Sequence, residues 1–162
     1  MSTFLGLSGV VWALIGAGLA AILGGLGSAI GITMASHAAA GVLSEDDTKF
    51  GQLLPLVAMP GTQGIYGFIA AVLVVVFFKI LNGTTDISAS IGFGVFLACQ
   101  PVIWLSFLTA IYQGRTAVAA VGIVGSGKKV PALVFPALVE TYAILALIVT
   151  ILMLLGLQAA VG

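Results

Sequence analysis

The sequence predicts an all-α membrane protein whose four transmembrane helices form two tandem hairpins. Composition is the first ground. Of 162 residues, 61% are hydrophobic and 6% are charged, against about 25% charged in a soluble domain. The mean hydropathy is +1.30. The second ground is that charge-free stretches long enough to cross a bilayer, about 20 residues each, recur four times. The third is that short polar turns separate them, so that neighbouring helices run antiparallel.

The first helix is expected over about residues 10–43. It carries Gly16, Gly18, Gly24, Gly25, Gly27 and Gly31. Small residues let membrane helices approach closely, so this helix packs tightly either against copies of itself or within its own chain. Ser44-Glu45-Asp46-Asp47-Thr48-Lys49 turns into a second helix, about 50–80, which closes the first hairpin, residues 1–81. Asn82-Gly83-Thr84-Thr85-Asp86 leads to the second hairpin, residues 87–162. Its helices are expected at about 88–124 and 130–158, joined by Gly125-Ser126-Gly127-Lys128-Lys129. Where a stretch exceeds a bare span, tilt or projection into water absorbs the excess. Met1-Ser2-Thr3-Phe4-Leu5 lacks the basic region of a secretory signal, so the first apolar stretch is expected to be retained. Cys99 is the single cysteine. It leaves no intramolecular disulfide and reads as a small buried apolar residue.

Net charge is zero and no basic tract exists for nucleic acid or anionic lipid. Lys49, Arg115, Lys128 and Lys129 fall on the side of the first and third turns, and Lys79 on the other. An excess of basic residues marks the cytoplasmic side. The first and third turns are therefore expected in the cytoplasm and both termini outside. The hairpins also read as an internal repeat. At an offset of 81 residues, Ala29-Ile30 matches Ala110-Ile111, Ala38-Ala39 matches Ala119-Ala120 and Gly41 matches Gly122. With a second cytoplasmic loop four residues shorter, the offset becomes 77 and Gln63 falls opposite Glu140.

Nine of the ten charged residues can sit at or near helix ends; Glu140 cannot. From Val130 to Gly162 it is the only charged residue. A carboxylate inside an apolar helix costs roughly 2.5–3.5 kcal/mol on insertion scales and marks an ion or substrate path with a partner.

Candidate partners lie on two other helices. Met59, Thr62, Gln63 and Tyr66 follow the i, i+3, i+4, i+7 rule and share one helix face. Pro60 has no N–H, which leaves the Leu56 carbonyl without its helical donor and kinks the helix. Irregular backbone at membrane depth is tolerated where it is buried or lines a cavity. Gln113 lies on the third helix. From the middle of their cytoplasmic turns, Gln63, Gln113 and Glu140 each lie roughly 18–24 Å along the helix, so they can share one level. One carboxylate, two amide oxygens, a hydroxyl and a carbonyl make an all-oxygen set. Hard cations prefer oxygen, and a single negative charge suits a monovalent one. Taken singly, Gln63 and Gln113 are interhelical glue worth about 0.6 kcal/mol, and Thr62 bonds its own backbone. His37 reads as structural, and Arg115 snorkels toward the cytoplasm.

Pro60-Gly61-Thr62-Gln63-Gly64-Ile65-Tyr66-Gly67, Gln113-Gly114-Arg115 and Val139-Glu140-Thr141-Tyr142-Ala143-Ile144-Leu145, with the glycine-rich first helix, carry a family resemblance. The whole chain resembles the proteolipid rotor-ring subunit (K or c) of V-type or V/A-type rotary ATPases. The likeness is greatest to the bacterial sodium-translocating form. Pro136, one turn before Glu140, is not part of that likeness.

The resemblance implies a function: a rotor subunit that carries Na⁺, or H⁺, at Glu140 during ATP-driven rotation. Glu140, Gln113, Gln63, Thr62 and the Met59 carbonyl would hold the ion, and Tyr66 would bond the carboxylate. Many copies would form a ring, the first and third helices inside and the second and fourth outside. Its partners would be a stator membrane subunit, central-stalk subunits and the lipid of a bacterial or archaeal cell membrane. The chain has no nucleotide motif, so it is not catalytic alone. The reading from a different class is a small four-helix secondary transporter coupled to protons, which needs neither the repeat nor the glycines.

Overall fold

A computed structural model of the chain describes residues 3–83 and 87–160. Thr84, Thr85 and Asp86 of the turn between the hairpins lie outside the described residues. A two-stranded antiparallel ribbon, β1 (Thr3–Phe4) and β2 (Leu7–Ser8), precedes the first helix, α1 (Gly9–Leu43). The second span consists of α2 (Phe50–Ala58), a 3-10 turn at Met59–Gly61, and α3 (Thr62–Phe77). The third is α4 (Ala89–Ala98) and α5 (Gln100–Gly125), interrupted at Cys99. The fourth is α6 (Val134–Ala159). All four spans are long and apolar enough to cross a bilayer, and the chain is an integral membrane protein.

The irregularities of the second and fourth spans have local causes, and that of the third is met by a contact between spans. Pro60 withholds an N–H from the second span, and the backbone tightens into the 3-10 turn beside it. At the interruption of the third span the Val102 N–H donates to Thr150 Oγ1 on α6 at 3.3 Å. The fourth helix begins at Val134 and not near residue 130. Pro136 explains the later start. It has no N–H to offer the Ala132 carbonyl, so continuing the helix back past that point would lose a hydrogen bond. In the first turn the missing N–H costs nothing, because it would have had no acceptor there. Ala132 is instead buried with Leu53, Leu56, Val121 and Val124 at the end of the bundle that holds the first and third turns.

The four spans stand at the corners of a parallelogram. α1 packs along α5 and α3, and α6 packs along α5 and α3, leaving α1 and α6 at opposite corners. α3 and α5 meet across the short diagonal. Glycines set the spacing around α1. A Cβ on Gly24 would lie 2.9 Å from Gln63 O, and one on Gly27 would lie 2.6 Å from Phe107 O. One on Gly31 would run into Ala110 O, and one on Gly16 would touch the Phe96 backbone at 3.0 Å. Of the six glycines picked out in the first helix, these four serve contacts inside the chain. Gly18 and Gly25 face open space.

At the turns, Lys49 ties the two hairpins: its Nζ donates to Gly125 O at 2.9 Å and lies 3.3 Å from Asp46 Oδ2. The hydrogen bond from the Thr48 hydroxyl holds the Asp46 carboxyl below its usual range. The pair is half-buried and still reached by solvent, so its contribution to stability is small.

Gly27→Ala should lower the stability of the folded chain by about 1–3 kcal/mol, as overpacking does. Gly25→Ala, which points into open space, should not destabilise it. Denaturation of the detergent-solubilised variants checks this; equal loss in both would contradict the packing.

Candidate ion-binding site

The late start of α6 decides where Glu140 sits. It lies in the second turn, roughly 9 Å along the axis from Val134. Gln113 is roughly 18 Å from the end of α5 at Gly125. The two nevertheless meet, because residues 126–133 carry the chain inward before α6 begins. Glu140 is thus closer to a helix end than Arg115, which is roughly 15 Å from Gly125. The sequence expectation had the contrast the other way round, since it started the helix too early.

Five side chains and two carbonyls come together. Tyr66 Oη donates to Glu140 Oε1 at 2.7 Å. Gln113 Nε2 donates to Glu140 Oε2 at 3.4 Å and to Pro136 O at 3.0 Å. Across the short diagonal of the bundle, Gln63 Nε2 donates to Gln113 Oε1 at 2.6 Å. Thr62 Oγ1 lies 3.0 Å from Met59 O and 3.3 Å from Gln63 Oε1, and its one proton serves either. All the expected site residues, Met59, Thr62, Gln63, Tyr66, Gln113 and Glu140, therefore join one hydrogen-bonded chain. Gln63 and Gln113 are fully buried, and Glu140, Tyr66, Thr62 and Met59 are half-buried.

The 3-10 turn is what aims the second span. It places Met59 O and Thr62 Oγ1 side by side at the base of α3, and Tyr66 one turn further on reaches α6. Two contributors were not foreseen. One is the Pro136 carbonyl, which takes one Gln113 N–H and so orients the amide; the proline a turn before Glu140 was its only signal. The other is Ser28, a buried hydroxyl of α1 that accepts from Gly64 N at 2.8 Å. Its signal was a polar residue within a run of glycine and alanine. Arg115 takes no part. It is exposed and lies over the Tyr112 ring at 5.2 Å, a cation–π contact. Among the described residues no cluster of His, Cys, Asp and Glu could hold a metal ion. The carboxylate itself is met by the Tyr66 O–H and the Gln113 N–H, and the Gln63 amide, the Thr62 hydroxyl and the Met59 carbonyl are linked behind them.

Fold and site together define a membrane protein of two helical hairpins that presents one carboxylate at the end of a hydrogen-bonded chain of neutral polar groups. Residues 15–74 match the family model of the ATP synthase C subunit. The chain is 36% identical over 150 residues to the V-type sodium ATPase subunit K of Enterococcus hirae, covering 91% of this chain and 93% of that one. It is 39% identical over 144 residues to the A-type ATP synthase subunit K of Methanocaldococcus jannaschii, covering 88% of this chain and 61% of that relative. The chain belongs to the family of K (c-type) proteolipid subunits of V/A-type rotary ATPases.

Tyr66→Phe removes the shortest hydrogen bond to Glu140. A hydrogen bond to a charged group is worth about 1.5–3 kcal/mol, so labelling of Glu140 by a carboxyl-directed carbodiimide at neutral pH should rise about tenfold. Unchanged labelling would mean that Tyr66 does not hold the carboxylate in the membrane.

Proposed function

We infer that this chain is a rotor subunit that binds Na⁺ at Glu140 and carries it across the membrane as a ring of copies turns. The observation that carries the reading is the single hydrogen-bonded chain from Met59 O through Thr62, Gln63 and Gln113 to Glu140. A proton site needs the carboxylate alone. Here four further oxygens stand at its level, held toward one another by hydrogen bonds among Met59 O, Thr62, Gln63 and Gln113. A dehydrated monovalent cation gives them a common partner. The sodium ATPase named among the relatives supports the same choice of ion.

Within that reading each residue has a task. The Glu140 carboxylate supplies the one negative charge that balances Na⁺. Gln63 Oε1, Gln113 Oε1, Thr62 Oγ1 and Met59 O replace water around the ion. The cation would compete with the Gln63 amide for Gln113 Oε1. Tyr66 keeps one carboxylate oxygen engaged, so the carboxylate stays oriented whether or not an ion is present. With the charge neutralised, Glu140 can pass the lipid-facing side of the ring, where Leu138, Tyr142 and Leu145 are exposed. Emptied, the carboxylate is a charge at membrane depth and is held back from lipid by its desolvation cost. A stator subunit with a basic residue would accept it there and exchange the ion. α1 and α5 would line the inside of the ring, and the turns at 44–49 and 125–129 would meet the central stalk in the cytoplasm, with both termini outside. The two hairpins would be copies of one ancestral hairpin, with the carboxylate kept in the second.

Two measurements test this. Glu140→Gln should leave the ring assembled and abolish ion transport in the coupled complex; transport at the wild-type rate would sink the mechanism. In purified protein, Na⁺ should protect Glu140 from the carbodiimide, and protection should weaken as pH falls, because protons compete for the carboxylate. Thr62→Ala and Gln113→Ala should each require more Na⁺ for the same protection. Labelling that ignores Na⁺ at every pH would make this a proton site.

A further inference from the structure

α3 begins at Thr62, so the N–H of Gly64 is among the first four of the helix, which have no acceptor in the helix itself. The residue at the N-cap is Gly61, which has no side chain to supply one. The acceptor comes from another helix. Ser28 Oγ of α1, 6% exposed, takes the Gly64 N–H at 2.8 Å. Gly64 follows Gln63 directly, and the 3-10 turn that presents Met59 O lies just before it. α1 grips the same segment on either side of this bond. A Cβ on Gly24 would strike Gln63 O, one on Gly31 would lie 2.7 Å from Pro60 Cβ, and one on Gly64 would lie 3.1 Å from Ser28 Oγ.

We propose that Ser28 is a positioning residue for the ion site, capping α3 from outside its own span and thereby setting where Met59 O, Thr62 and Gln63 stand. The proposal rests on the sodium-binding reading above. The physical reason is a competition between two acceptors. Without the Ser28 oxygen, the Gly64 N–H is left with the carbonyl of Pro60, four residues back. Forming that bond would wind α3 backward over the 3-10 turn. Met59 O and Thr62 Oγ1 would swing with it, while Tyr66, Gln113 and Glu140 on the other side of the site would keep their mutual hydrogen bonds. Ser28 therefore governs the half of the site that only a metal cation uses, and leaves alone the half that binds a proton.

That division gives a readout that loosened packing would not reproduce. The test is carbodiimide labelling of Glu140 in purified rings of wild type, Ser28→Ala and, as a control on the same helix, Ser36→Ala. Ser28→Ala should raise the Na⁺ concentration for half-protection about tenfold, the scale for a buried donor left without its partner. The pH profile of labelling without Na⁺ should match wild type, and Ser36→Ala should match wild type in both. If Ser28→Ala fails to assemble, Ser28→Cys, which keeps a weak acceptor at the same place, should show a smaller shift of the same kind. Unchanged Na⁺ protection, or a shift in the Na⁺-free pH profile of similar size, would overturn the role of Ser28 alone. Absence of Na⁺ protection in the wild type would overturn the sodium reading and this proposal together.

Discussion

A carboxylate in an apolar bundle must be met by donors, and the Glu140 contacts dictate much of what surrounds them. Tyr66 on α3 and Gln113 on α5 each reach the carboxylate, so three helices must stand at fixed rotation and depth. That requirement accounts for the parallelogram. α3 and α5 come close enough across its short diagonal for Gln63 and Gln113 to share a hydrogen bond. α6 is left at an outer corner, with its carboxylate facing inward and its apolar face exposed.

Fixed depth in turn depends on places where helices stop being regular. Pro60 and Pro136 lie on the second and fourth spans, and each interrupts regular helix next to a site residue. The first yields the 3-10 turn and the Met59 carbonyl. The second delays the start of α6, and its carbonyl also takes a Gln113 N–H. Ordinary helices would present side chains alone at this level. The interruptions add backbone oxygen at membrane depth, where it is tolerated because it is buried.

α1 carries none of the site residues, yet the site is built on it. Its glycines let α3 and α5 approach at Gly67 and Gly114, where a Cβ would run into the α1 backbone. Ser28 closes the end of α3 from the same surface. Small residues here do for the fold what large apolar residues do in a soluble core, because in lipid there is no hydrophobic drive to bring helices together and close packing must supply it.

The number of spans, the membrane class, the unusual carboxylate and the shared face of Met59, Thr62, Gln63 and Tyr66 were legible in the sequence. They depend on hydropathy and on helical periodicity, which are local. Periodicity says which side chains share a face but not what that face meets. That Gly24, Gly27 and Gly31 serve packing inside the chain, that Gln113 turns its amide to Pro136 O, and that Gly64 finds Ser28 were decided by the tertiary structure. So was the level of Glu140. A count from the middle of the turn assumed a helix from about residue 130, and Pro136 moves the start to Val134. Which residues of different helices meet depends on where each helix begins and how it is rotated, and those are set by contacts between spans far apart in the chain.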